Sequence, residues 1–483
     1  MQKLKYIMIA FGALILFSQC SDDAITDETD GTDVVDSGTI INADYTVGLT
    51  YKTDEASEGY TLFAPIGSTT TYLIDNCGDE VYSWPSNYMP SHSVYLLENG
   101  YLLRTGNASN SSFNAGGQGG IIEMINPDGD VVWDYTVSSS TELQHHDVEY
   151  LDNGNILIIA WDKKTGTEAT AAGLTTSLSE LWSEKIIEIQ PNIEAGTAVI
   201  VWEWNAWDHI VQDQSEGLSN FGVVSEHPEL LNINYDYESD EIEDWLHFNS
   251  IDYNETLDQI LVSSRSYSEF YIIDHSTSTD EAASHTGGTH GKGGDILYRW
   301  GNSQTYDQGS SSDQQLYNQH DAHWIESGFL DGDMIMVFNN RAGDAVGSNY
   351  SAVNVINPDV NADGSYDLTD DVFGPIDFHW TYTADTPTDL YSAFISGATR
   401  LENGNTLICE GSTGIFTEVN YSGETVWEYI NPVSGSGIAD QYDNAGENRL
   451  FRAERYTYDF AGFSDYDLYP LGTLESGSDY ACE

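Results

Sequence analysis

Basic side chains are scarce in this sequence. It has 15 lysines and arginines against 79 aspartates and glutamates in 483 residues, a formal net charge of −64. Gripping nucleic acid requires a basic footprint that displaces counterions from phosphates, so a nucleic-acid partner is excluded. The acidity reads as a solvated surface suited to salty water, where charges are screened within about 3 Å at about 1 M salt. Long apolar runs are lacking too. The most apolar stretch, Ile7 to Phe17, falls short of the roughly 20 residues a spanning helix needs. Cysteine is limited to Cys20, Cys77, Cys409 and Cys482, too few for a disulfide-built scaffold.

What the amino terminus does contain is a targeting signal. Lys3 and Lys5 precede the apolar Ile7–Phe17 segment, which ends at Leu16-Phe17-Ser18-Gln19-Cys20. This resembles a lipobox, which implies that residues 1–20 are a lipoprotein signal and that Cys20 is the lipidated first residue of the mature chain. Ser21-Asp22-Asp23 resembles the surface-export tag of Bacteroidetes lipoproteins. The expected location is therefore the outer membrane, on its periplasmic or cell-surface face, with contact through the lipid alone. Residues 21–45 are acidic and poor in aromatics, as in a disordered tether.

Self-comparison of the remainder is more informative. One hairpin recurs six times: an apolar strand, a polar turn, and a strand ending near tryptophan. It closes at Trp84, Trp133, Trp204, Trp300, Trp380 and Trp427. A second hairpin precedes most copies, with a leucine and Asn-Gly before an apolar strand, as in Leu97-Glu-Asn-Gly, Leu151-Asp-Asn-Gly and Leu401-Glu-Asn-Gly. Asn-Gly between alternating strands is the strongest short hairpin signal, and it predicts turns with positive φ at both residues. Two hairpins make a four-stranded blade, and six blades closing a ring remove exposed sheet edges. The predicted fold is all-β, a six-bladed β-propeller over residues 46–475, with a tail at 476–483. A β-sandwich, the alternative, does not repeat one hairpin pair six times.

Equivalent positions of different blades face one central channel, so polar residues just before the Asn-Gly hairpins are comparable. They are His92-Ser93, His146-Asp147, Asn249-Ser250, His320-Asp321 and Ser396-Gly397, with His247 two residues before its copy. Arg265 and Arg341 end equivalent strands of neighbouring blades. Imidazoles recurring at one register with an arginine among them make an anion site, since a guanidinium fork matches a tetrahedral oxyanion. His92, Asn249 and Arg341 are candidate substrate-binding residues. A structural His-Asp bond within each blade and a surface ion pair for Arg341 are the plainer readings.

Several segments are similar to the bacterial arylsulfate sulfotransferase family. They are His145-His-Asp-Val-Glu-Tyr-Leu-Asp-Asn-Gly-Asn, Trp245-Leu-His-Phe-Asn-Ser-Ile, Ser263-Ser-Arg265, Gly293-Gly-Asp-Ile-Leu-Tyr-Arg-Trp-Gly-Asn302 and Gln319-His-Asp-Ala-His-Trp324. The similarity runs from about residue 58 to about residue 460. It implies a six-bladed propeller that moves a sulfuryl group from an aryl sulfate donor to a phenolic acceptor, without a nucleotide donor or a metal. It also implies functional roles for His146, His247, Arg265 and His320, with His320 transiently sulfated. Whether His145 or His146 lines the site is left open by the sequence. Better-known members carry an N-terminal domain that aids dimerisation, and only the short tether stands in its place here, so the oligomeric state is open as well.

Other signals are weaker. Gly287-Gly-Thr-His-Gly-Lys-Gly-Gly294 fails the spacing of a phosphate loop, and His285 and His290 beside it fall short of a metal-ligand set. Asp359, Asn361, Asp363, Asp367 and Asp370 follow the oxygen rhythm of a calcium loop, against the simpler reading of a polar hairpin tip. No other metal or cofactor is expected. Ring closure should bring Cys77 to Cys482 as a disulfide and leave Cys409 a buried thiol. Two competing functions are a non-catalytic surface propeller that binds a glycan or protein, suited by 31 tyrosines, and a sulfatase. The sulfatase lacks its usual metal cluster and modified-cysteine motif.

Overall fold

The computed structural model describes residues 40–41, 44–237, 242–478 and 482. Cys20 and the signal segment lie outside the described residues. Each Leu-x-Asn-Gly sequence makes a tight hairpin. Gly154 N–H donates to Leu151 O at 2.8 Å, and Leu151 N–H donates to Asn155 O at 2.9 Å. Only the glycines (Gly100, Gly154, Gly404) have positive φ, at 82° to 88°, and the asparagines do not. The turn is therefore a type I turn followed by a glycine bulge rather than the expected form with two left-handed residues.

Six antiparallel sheets follow around the ring, five of four strands and one, that of blade 6, extended to six. Blade 2 begins with Pro90–Leu96, blade 3 with Glu142–Tyr150, blade 4 with Phe248–Asn254, blade 5 with His320–Trp324 and blade 6 with Gly397–Arg400. These are the inner strands. Blade 1 is assembled from both ends of the chain: its inner strand is Leu450–Tyr456, paired antiparallel to Tyr60–Pro65. Gly48–Lys52 adds a strand outside blade 6, along Thr425–Ile430, and Ile40–Ile41 pairs in turn with Lys52 and Tyr51. Those two isoleucines fall within residues 21–45, the stretch read as a tether. Cys77 and Cys482 form a disulfide with Cα atoms 5.7 Å apart, and Cys409 is a buried thiol.

The recurring tryptophans have a common task. The indole N–H of Trp133 donates to Thr197 O, that of Trp204 to Gly294 O, that of Trp300 to Pro375 O, that of Trp380 to Tyr421 O and that of Trp427 to Asn76 O. Each bond runs from one blade to the next. Burial of the ring supplies the hydrophobic stabilisation, and the bond, at about 1 kcal/mol, fixes the blade register. Trp84 of blade 1 is fully buried, and its indole nitrogen has no such partner.

Around the axis the blades meet at Arg452. Its guanidinium reaches Asp147 Oδ2 of blade 3 at 2.6 Å and Asp321 Oδ1 of blade 5 at 2.5 Å. It also donates to the Tyr95 hydroxyl of blade 2, which donates to Asp147 Oδ1. Asp147 accepts from Ile251 N–H of blade 4 and Asp321 from Ala398 N–H of blade 6. One arginine on blade 1 thus ties all six inner strands together.

Candidate active site

The inner strands carry His92, His146 and His320 at bulges, and His247 stands just before the inner strand of blade 4. The ladders slip between Pro90 and Val94, between Gln144 and Val148, between Phe248 and Ser250, and between His320 and His323. His92, His146 and His247 have φ of 126°, 49° and 52°, and Asp321 has 60°. Non-glycine residues rarely take such angles, and they concentrate where a bulge re-aims a side chain. Here the bulges turn imidazoles of different blades toward one another. The ring centroids of His92 and His146 are 5.1 Å apart, and those of His146 and His247 are 4.7 Å apart. Phe451 packs at 4.8 Å from His92, 6.0 Å from His146 and 6.4 Å from His320.

His320 is buried, and its protonation pattern is set by a neighbour. Its Nδ1 lies 2.8 Å from Asn340 Oδ1. Asn340 spends both amide hydrogens on the carbonyls of Ser392 and Ile395, so its oxygen faces the ring as an acceptor. Nδ1 must then carry the proton, and in the neutral ring Nε2 holds the lone pair. Burial holds the His320 pKa well below the usual histidine value, and the Arg265 charge lowers it further. His146 is likewise held well below the usual value, by burial first and then by His247 and His92. Burial pushes His92 down to about 4.

His146, not His145, joins the cluster. His145 lies behind it, stacked on Trp161 at 4.1 Å, with Nδ1 2.9 Å from His146 Nδ1 and Nε2 2.9 Å from Glu184 Oε2. Burial raises the Glu184 carboxyl well above the usual range. Glu184, His145 and His146 therefore form a hydrogen-bonded row along which a proton can move. Asp244 accepts from His247 Nδ1 at 2.5 Å and so orients that ring. Asn249 is buried, donates to Gln319 O, and keeps a side-chain oxygen without a hydrogen-bond partner.

Arg341 is drawn elsewhere, to Asn318 Oδ1 at 3.0 Å and Asp344 Oδ2 at 2.9 Å, and is about one-third exposed. The calcium rhythm gathers no carboxylate cluster. Among the described residues the one group of three His, Cys, Asp or Glu ligand atoms within 4.8 Å of one another is elsewhere. In the loop, Asp363 accepts from Ser365 and Val360 bridges Tyr366, as in a polar hairpin tip.

The arylsulfotransferase (ASST) family model matches residues 134–455, a span that contains His146, His247, Arg265, His320, Asn340 and Arg452. The chain belongs to the arylsulfotransferase family. No curated protein gives a significant match. Among solved structures, a protein of unknown function from Bacteroides caccae is 14% identical, with 83% of this chain and 100% of that chain covered and a TM-score of 0.44. A putative 6-phosphogluconolactonase from Bacteroides fragilis is 9% identical, over 84% and 99% of the chains, with a TM-score of 0.40. The β-propeller domain of Cps50 (Swd1) from Myceliophteria thermophila is 10% identical, over 82% and 90%, with a TM-score of 0.36.

Asn340, Phe451, Arg452 and Glu184 were not signalled by the sequence. In retrospect, the scarcity of arginine singles out Arg452 as it did Arg265.

Proposed function

We propose that this arylsulfotransferase carries the sulfuryl group on His320 between an aryl sulfate and a phenol. The observation that carries the reading is the neutral imidazole whose Nδ1–H is committed to Asn340, which leaves Nε2 as a nucleophile. Nε2 attacks sulfur, the sulfur–oxygen bond to the aryl group breaks, and the phenolate leaves with a proton passed from the Glu184 carboxyl through His145 and His146. The acceptor phenol then returns a proton along the same row to Glu184, its oxygen attacks sulfur, and the nitrogen–sulfur bond breaks, which restores the Nε2 lone pair. Splitting the transfer this way is covalent catalysis and predicts ping-pong kinetics. The Arg265 fork and the imidazoles of His146 and His247 suit the sulfuryl oxygens, where charge shifts during transfer. The His146–His145–Glu184 row suits the proton movements. The Cys77–Cys482 disulfide agrees with work outside the cytoplasm, as the Cys20 lipobox implies.

The test is a chromogenic aryl sulfate with and without a phenol. Chromophore release that requires the phenol, and one sulfuryl group on His320 after a donor-only quench, are the expected results. His320→Asn should keep the fold and abolish transfer. Transfer at the wild-type rate by that variant removes His320 from the role. Release of free sulfate without phenol indicates a sulfatase, and binding without turnover a capture module.

A further inference from the structure

His209 closes the short turn Ala206–His209 that follows the outer strand of blade 3, and it is completely buried. Its ring stacks on Trp204 with centroids 5.5 Å apart and planes 2° from parallel. Nε2 lies 2.8 Å from the Ala282 carbonyl, which only accepts, so Nε2 carries the hydrogen. In the neutral ring Nδ1 then presents a lone pair. Yet Nδ1 lies 2.8 Å from Asp295 Oδ1, a carboxylate oxygen that also only accepts. Two acceptors at that distance need a proton or a metal ion between them. The same oxygen lies 2.7 Å from Nδ1 of a second imidazole, His285.

We propose that His209, His285 and Asp295 bind a divalent first-row transition-metal ion of the zinc class. Two imidazoles and a carboxylate are a common donor set for such an ion. The buried partner is prepared for it: the Ala282 carbonyl fixes the metal-binding tautomer of His209, as outer-shell carbonyls do at metal centres. Gly294 keeps that arrangement possible, since a Cβ there would sit 2.1 Å from Ala282 O and 2.7 Å from His209 Nε2. Bonds of about 2.0–2.1 Å place tetrahedral donors about 3.3 Å apart, roughly 0.5 Å wider than these contacts. The Asp295 carboxylate and the exposed His285 side chain can supply that opening. His209 follows blade 3, whereas His285 and Asp295 belong to the loop inserted in blade 4, so the ion pins the insertion to the neighbouring blade. His285 and Asp295 also line a cavity of about 760 Å³ with Trp207, Asp208, His227 and Glu229.

The chain as a whole is acidic enough to collect cations loosely, so the test is run at chelator-buffered nanomolar free zinc. The full-length protein is stripped with a chelator, dialysed against that buffer, and its zinc is counted by mass spectrometry. We expect one zinc per chain. His285→Ala changes an exposed side chain and should fold normally but weaken zinc binding at least 10-fold, whereas His290→Ala, in the same loop, should retain it. Cobalt in place of zinc should give visible absorption bands that His285→Ala loses. No retained zinc, or equal retention by His285→Ala, overturns the proposal and leaves a hydrogen-bonded histidine–carboxylate cluster. None of these readouts depends on sulfuryl transfer.

Discussion

Replacing Arg452 with methionine keeps the length of the side chain and removes its charge. Two carboxylates then lose their cation, Asp147 with a fully buried side chain and Asp321 with one only 3% exposed. Stripping one partner from a buried pair costs about 3–5 kcal/mol. The ceiling is set by protonation. Taking up a proton at pH 7, against an unfolded value near 3.9, costs about 4 kcal/mol for each carboxyl, so two cost at most about 8 kcal/mol. Both carboxylates keep backbone N–H donors, from Val148 and Ile251 for Asp147 and from Ala398 for Asp321, which soften the loss. We expect a deficit of about 3–5 kcal/mol, a large share of a typical total of about 5–15 kcal/mol. The sign of the pH dependence follows. In the variant, two buried carboxyls without a cation are favoured in the neutral form, because burial penalises the charged one, and they hold protons that the unfolded chain has released. The contribution of these two carboxyls is therefore fullest near pH 4 and falls as pH rises, by up to about 1.4 kcal/mol per pH unit for each. Urea unfolding of wild type and variant at pH 5 and pH 7.5 measures both quantities. The double replacement Asp147→Asn, Asp321→Asn on the variant should recover part of the loss. A deficit below about 1 kcal/mol at pH 7.5, or one that does not shrink at pH 5, would refute the hub.

Three further outcomes are expected. Arg265→Gln removes a charge that lowers the His320 pKa, so that value rises, more of the ring is protonated in mild acid, and the acid limb of the pH–rate profile moves to higher pH. An unmoved limb argues that a different group controls it. Asn340→Ala releases the His320 tautomer and frees two buried carbonyls. Transfer should fall about 10- to 100-fold while His320 is still sulfated slowly, and an unchanged rate would dismiss tautomer control. Cys77→Ser opens a loop of 405 residues, for which chain entropy sets an upper limit near about 6 kcal/mol. A melting temperature equal to that of the oxidised wild type would show that the bridge adds nothing.

The six-fold repeat was legible because each blade repeats two local signals, a glycine turn and a tryptophan. The convergence of His92 and His146 was legible for a geometric reason: in a propeller, one register in every blade faces one axis. Partners contributed by distant segments left no such trace. Glu184 lies 39 residues from His145, and nothing in the order of the chain joins them. Asn340 precedes the more conspicuous Arg341, yet it is the asparagine that meets His320, while the arginine is held by Asp344. Phe451 and Arg452 stand in an inner strand without an Asn-Gly hairpin after it, because the chain continues that blade from its other end. The bulges were also invisible, since positive φ at His92 or His146 is imposed by the ladder and not by the residue type.

That last inner strand has a consequence for how the protein is made. Translation reaches Leu450 only after every other blade has been specified, and Phe451 and Arg452 arrive with it. A chain released before that point contains His146, His247, Arg265 and His320 yet has neither the aromatic floor beneath the imidazoles nor the cation at the axis. Prematurely terminated copies should be inert rather than half-active. No chain that stops before Leu450 can supply the inner strand of blade 1 or close the ring.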